Sequence, residues 1–421
     1  MKKLLCAILS CILLLSMFGC GNQAATVTTE DGNNEATQPA QDYVVPSPMT
    51  TRIYTFDSDP TPEQLRQTAI QAMRDLLSIQ WSTDEVIAYY KTGPVSKKRF
   101  EHKPGETYAG TLYSNASTGL FQFMEFYNQE TGAFKYPEPP YILKEALGNS
   151  CADSLLWGWS SVCNSITGGY YPVMMVYKNG YLPVGGYTYN FEIDSFNQQP
   201  SRQIVELNGE DKIVECYMQV QPADSLVSNT NNHALMVLEE AHVEYKADGS
   251  IDLEKSYINI QDQRGGDGKG FYDQIVDGNV LHYSGRTSFH FTFDKLLKDH
   301  YIPVTTAEFT GEKAYEKATL TTDDSACDTL DALKAASVTS NYPLAVLRVT
   351  AIDEAGNETV LERKLFGGKD ETGVPRTFQI GDLKMWEKFG ENEANKPGNQ
   401  LRVDVIVSTG ETFTPYTVTL E

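Results

Sequence analysis

The chain has 421 residues, of which 41% are hydrophobic and 11% aromatic, enough to bury the cores of two or three domains. With 21% charged residues and 24 tyrosines, it is neither disordered nor fibrous as a whole. Its 34 Lys and Arg stand against 56 Asp and Glu, a formal charge of −22 with no basic run to offset it, so nucleic-acid binding is excluded.

The first twenty residues read as an address. Lys2 and Lys3 precede an apolar run over residues 4–18, which ends in Gly19 and Cys20. A basic start, a short apolar stretch and a small residue before the cut describe a secretory signal, too short for a stable spanning helix. Cysteine directly after the small residue resembles the bacterial lipoprotein signal. That resemblance implies that residues 1–20 form a lipoprotein signal peptide and that Cys20 becomes the lipidated first residue. The protein would then be extracytoplasmic and anchored to the cell membrane. Residues 21–50, mostly Thr, Asn, Gln, Ala and Pro, cannot build a core and read as a disordered tether.

Beyond the tether, Thr61-Pro62-Glu63 supplies a cap, a first-turn proline and an early acid. Leu65, Ala69, Met73 and Leu76 follow at helical spacing, which predicts a helix to about residue 77. A second helix is expected over 118–128, and a third begins near Ser150. From about residue 170 to 304 the pattern is one of short strands separated by Gly, Pro, Asn and Asp. Past residue 308 the style changes. Leu347, Val349 and Ala351 alternate with Arg348 and Thr350 before an Ala355-Gly356-Asn357 turn. Leu401, Val403, Val405 and Val407 likewise alternate with Arg402, Asp404 and Ser408. Period two with hairpin turns predicts a C-terminal β-sandwich over 306–421, immunoglobulin-like in a loose sense, without the paired cysteines of antibody domains. Its partner is left open.

Cys6 and Cys11 leave with the signal. Cys163, Cys216 and Cys327 read as small core residues. No C-x-x-C occurs and no spacing suggests a metal site, so neither metal nor cofactor is expected. Cys151 differs. Ser150 is a good helix cap, which places Cys151 in the first turn of a helix carrying Leu155 and Leu156. Backbone N–H groups and the positive end of the helix dipole favour a thiolate there and can hold a developing oxyanion.

A thiolate nucleophile wants an imidazole. His233 follows the polar turn 229–232 and opens the run Ala-Leu-Met-Val-Leu, at the mouth of a strand. His242 has the opposite parity, and His282 and His290 lie in later strand-like segments with no matching nucleophile. The strand from His233 is expected to run to about residue 245, turn through Lys246-Ala247-Asp248-Gly249, and return over 256–263. Folding that hairpin about Ala247 and Asp248 sets Asp262 opposite His233, with Gln261 or Gln263 as the neighbour if the register slips. Asp262 would orient the far nitrogen of the imidazole.

Taken together, Gly148-Asn149-x-Cys151 at a helix start, Pro222-Ala-Asp224-Ser-Leu226 ahead of the histidine strand, a polar residue closing the next strand and the upstream Tyr108-Ala-Gly110-Thr-Leu-Tyr113-Ser114 resemble the NlpC-type papain-like cysteine peptidases. The related CHAP amidases share this plan, and the resemblance spans about residues 100–305. It implies an α+β, papain-like domain over 51–305, with a helix-borne cysteine packed on an antiparallel sheet. Cys151 would be the nucleophile, His233 the base and Asp262 the orienting residue, while Tyr113 and Ser150 would line the substrate side. Two stretches depart from the family pattern. Its Asp-Cys-Ser-Gly reads Ser150-Cys151-Ala152-Asp153 here, and its Gly-Asp reads Ala223-Asp224. The implied activity is hydrolysis of an amide bond by a Cys-His-Asp triad, with peptidoglycan or a peptide as substrate. The alternative is a papain-like module that has lost turnover and serves binding or assembly at the cell surface. A solute-binding lipoprotein fits poorly, because the repeated strand–helix pattern of two doubly wound lobes is missing.

Overall fold

A computed structural model describes residues 52–90, 98–136, 147–166, 180–189, 201–264, 271–276, 278–323, 327–367 and 374–421. The expected signal peptide with Cys20, and the tether, lie outside the described residues. The fold is mixed α+β, with several antiparallel sheets and about eight helices among those residues. No described helix is long and apolar enough to cross a membrane.

The first helix, Pro62–Ser78, starts at the anticipated cap. Thr61 Oγ1 accepts from the Gln64 N–H at 3.3 Å, and the Gln64 side chain accepts from the Thr61 N–H at 2.8 Å. Its face of Leu65, Ala69, Met73 and Leu76 is buried. The third anticipated helix is also present, as Cys151–Ser160, and the two helices pack together. Both lie on a six-stranded antiparallel sheet. In spatial order its strands are Gly285–Thr292, Tyr257–Gln263, His233–Val237, Ser225–Ser228, Ile302–Thr306 and Tyr181–Pro183. Met236 and Gln261 face these helices: Gln261 Nε2 donates to the Ile70 carbonyl at 3.2 Å and contacts Met236 Sδ. By strand parity, His233, Leu235, Ile260 and Asp262 share the other face.

Three sequence expectations need correction here. The helix expected over 118–128 is only Leu120–Met124, because Asn128 folds into a turn in which its Oδ1 accepts the Glu130 and Thr131 N–H groups. The region 170–304 is not strands alone: helices Ser201–Asn208, Glu210–Tyr217 and Phe293–Lys298 interrupt it. Ile204 and Val205, then Ile213, Val214 and Tyr217, bury one side of the paired short helices, and Gly209 at φ 82° makes the corner between them. Finally, the histidine strand ends at Val237 instead of near 245, and only isolated bridges, His242 with Tyr257 and Tyr245 with Ile251, continue the hairpin.

The C-terminal part carries two more antiparallel sheets. One comprises Glu358–Leu365, Leu344–Ile352, Gln400–Val407 and Thr412–Thr419; the other comprises Leu320–Thr322, Ser337–Ser340 and Thr377–Gln379. Leu347, Val349, Ala351, Leu401, Val403, Val405 and Val407 fill an apolar cluster with Val338 and Tyr342. Cys163 and Cys216 are fully buried, whereas Cys327 is only half-buried against this cluster, so it is a margin residue and not a core one. The described residues from 52 onward belong to one compact unit that holds two large apolar clusters, the second of them in the C-terminal part. The reason is visible at the end of the cysteine helix. Ser408 Oγ donates to the Ser160 carbonyl at 2.5 Å, Tyr342 OH to the Val162 carbonyl at 3.2 Å, and Arg376 Nη2 to the Asn164 and Ile166 carbonyls at 2.7 and 2.8 Å. Carbonyls at and beyond the helix end thus find donors on turns that flank the C-terminal strands.

The corner before strand Ser225–Ser228 is fixed by a buried ion pair. Arg66 Nη1 donates to Asp224 Oδ1 at 2.7 Å and to the Pro222 carbonyl at 2.6 Å, while Trp159 Nε1 donates to the Ala223 carbonyl at 2.8 Å. Removing one partner strands the other charge in the interior. Arg66→Met should therefore lower folding stability by about 3–5 kcal/mol in urea denaturation, and adding Asp224→Leu should recover much of that loss.

Candidate active site

The elements bearing Cys151 and His233 begin at the same place. Cys151 is the first residue of its helix and His233 the first of its strand. Ahead of the helix, Gly148 crosses the Leu112 backbone so closely that a Cβ there would lie 2.0 Å from the Leu112 carbonyl oxygen. Asn149 then pairs with the same segment. Its N–H donates to the Leu112 carbonyl at 3.0 Å, its carbonyl accepts from the Ser114 N–H at 3.0 Å, and its Oδ1 accepts from Thr111 Oγ1 at 3.2 Å. These bonds explain why glycine and asparagine precede the cysteine. They also place Tyr113, half-buried and bridged to Asn149, next to the start of the helix. Ser150 is tied to Asp153, whose Oδ2 accepts from the Ser150 N–H at 3.0 Å and from its hydroxyl at 2.6 Å. Its hydroxyl is thus committed to the Asp153 carboxylate in the helix's first turn.

His233 follows a tight turn. Ser201 anchors that turn by donating its N–H and its hydroxyl to Asn229 Oδ1, both at 2.7 Å. Asn232 takes a φ of 49°, and its carbonyl accepts a long contact, 3.9 Å, from the Cys151 thiol. His233 Nε2 lies 2.7 Å from Asp262 Oδ2, and the Cys151 sulfur, in contact with the adjoining Asn232 carbonyl, is close enough to act electrostatically on the ring. The structure therefore brings Cys151, His233 and Asp262 together. The flanking glutamines are engaged elsewhere. Gln261 bonds Ile70, and Gln263 Nε2 donates to the Thr111 carbonyl and to Ser284 Oγ, each at 3.1 Å. The strand register differs from the symmetric folding of the hairpin. Met236 pairs with Gln261 and Val237 with Ile260, so Asp262 sits opposite Leu235 and diagonal to His233. A shift of two residues preserves the face, which is why the contact forms.

Asp262 is fully buried and carries a second partner, Arg286, which stands opposite it on strand Gly285–Thr292. Arg286 Nε donates to Oδ1 at 3.0 Å and Nη2 to Oδ2 at 2.8 Å. The sequence reading missed Arg286. The one signal was that Arg286 is the only Arg or Lys in strand Gly285–Thr292. Burial by itself would raise the Asp262 carboxyl, but Arg286 and then His233 outweigh it and hold the group well below the usual carboxylate range. At His233, burial works against the charged ring. The Cys151 sulfur and the Asp262 carboxylate prevail and push it up to about 9.

The other histidines are engaged elsewhere. His242 meets Glu244, His282 meets Asp273, His290 packs on Tyr257, and His300 contacts Thr230. His102 is buried among Trp81, Tyr108 and Phe271, where burial pushes its pKa down to about 3. Among the described residues no group of three His, Cys, Asp or Glu side chains is arranged to hold a metal ion. No protein-family model matches the chain, and no curated protein and no solved structure is significantly similar to it.

A histidine raised above its unfolded value adds stability that is complete below about pH 6.5 and is lost as pH rises through about 9. Wild-type stability should therefore fall across that window, and His233→Gln should lack this fall. Urea denaturation at closely spaced pH values measures the difference.

Proposed function

We propose that the chain is an extracytoplasmic, lipid-anchored cysteine hydrolase of the papain-like, NlpC type, acting on an amide bond. The observation that carries this reading is the placement of Cys151, at a helix start, against the Asn232–His233 corner, with the His233 ring bonded to the buried Asp262. In the reaction, Cys151 as thiolate attacks the amide carbonyl carbon. The oxyanion of the tetrahedral intermediate is held by N–H groups of the helix's first turn. The C–N bond then breaks, and the His233 imidazolium gives its proton to the leaving amine. Water, deprotonated by His233, attacks the thioester and releases the acid and the thiol. Asp262 keeps the imidazole oriented and balances its charge.

A helix bearing the cysteine on an antiparallel sheet is in keeping with a papain-like domain, and two C-terminal sheets sharing one core are in keeping with an immunoglobulin-like sandwich. The resemblance of residues 1–20 to a lipoprotein signal puts the substrate outside the cytoplasm. With the NlpC-like motifs, that favours peptidoglycan, at its stem peptide or at the sugar–peptide amide. Tyr113, beside the start of the helix, is the side chain assigned to positioning the substrate.

One observation favours the rival, a module without turnover: Cys151 is 6% and His233 8% exposed. Two assays separate the readings. Cys151→Ala should abolish muropeptide cleavage while leaving the circular dichroism spectrum intact, and unchanged turnover by that variant would end the hydrolase reading. A working Cys151 should also be alkylated rapidly below pH 7, which an inert buried thiol is not.

A further inference from the structure

Asp262 is held from two sides on one face of the central sheet. Arg286 is its direct cross-strand partner and takes both carboxylate oxygens, while Oδ2 also meets His233 Nε2. The guanidinium is itself fixed, its central carbon lying 3.4 Å from the Phe289 ring centroid and 5.4 Å from that of Tyr272. We propose that Arg286 is a positioning residue of the active site: its fork orients the Asp262 carboxylate toward His233, and its charge offsets part of the carboxylate's pull on the imidazolium. This inference rests on the hydrolase reading and adds a residue that acts only through Asp262.

A two-donor fork pins the plane of a carboxylate, which a single donor does not. A cation behind the carboxylate also disfavours a proton on His233. The other ionisable groups facing the pair are Cys151 from the helix and Tyr301, just ahead of strand Ile302–Thr306. Burial keeps Tyr301 neutral, and Asp299 acts on it. Arg286 is thus the cation whose removal changes the balance.

Alkylation of the full chain by iodoacetate reads this without any substrate, because the imidazolium attracts the reagent's carboxylate and the rate falls once His233 loses its proton. In the wild type the fall should centre near pH 9 and be absent in His233→Ala. Arg286→Gln should move it upward by about one pH unit. Arg286→Lys, which keeps the charge and loses the fork, should leave the fall in place while slowing alkylation severalfold. An unmoved fall in Arg286→Gln overturns the inference and leaves the hydrolase reading standing; a wild type without a His233-dependent fall overturns both. Should Arg286→Gln fail to fold, Arg286→Lys decides, since a displaced fall in that variant contradicts the charge-offset role.

Discussion

A single buried carboxylate organises this site. Asp262 is wholly inside the protein, where an unpaired charge costs several kcal/mol, so the surrounding strands must bring counter-charge to it. They do so through side-chain parity. His233, Asp262 and Arg286 come from three adjacent strands and share one face, while Met236 and Gln261 on the other face pack against the helices. The ion pair is therefore a consequence of strand register. A slip of one residue would turn Asp262 toward the helices and leave both His233 and Arg286 without their acceptor.

The cysteine helix supplies the remaining member, and it is held at both ends. At its start, Gly148 and Asn149 lock the backbone against Leu112 and Ser114, and Asp153 closes the cap on Ser150. At its far end, Ser408, Tyr342 and Arg376 bind the carbonyls that follow the last turn. Gln122 Nε2 donating to the Phe366 carbonyl, and Glu125 between Arg348 and Arg363, extend the same junction. The C-terminal sheets are thus part of what fixes Cys151 in place, whatever else their outer surfaces contact.

Much of this was legible in the sequence, because the signals are local. The Thr61 cap with its apolar stripe gave the first helix to within a residue or two. Ser150 marked the start of the cysteine helix, and the polar turn before His233 marked the mouth of a strand. Asp262 was placed on the right face even though the assumed register was off by two, since period two forgives an even slip. What escaped reading depends on distant partners. The helices around Gly209 are short, and their polar residues resemble strand-separating turns. Arg286 acquires meaning only when its strand lies beside that of Asp262, and no spacing along the chain encodes that neighbour. The bonds from turns beside the C-terminal strands to residues 160–166 cross more than 170 positions, and nothing local in the sequence encodes them.

The central claim is that the Cys151 sulfur and the His233 imidazole are electrostatically coupled. An NMR titration of the His233 ring in the wild type and in Cys151→Ser tests it most directly. The account predicts a ring that stays protonated to about pH 9 in the wild type and titrates at clearly lower pH once the sulfur is replaced. Identical titration in the two proteins would mean that the sulfur and the imidazole are electrostatically independent, and would contradict the account.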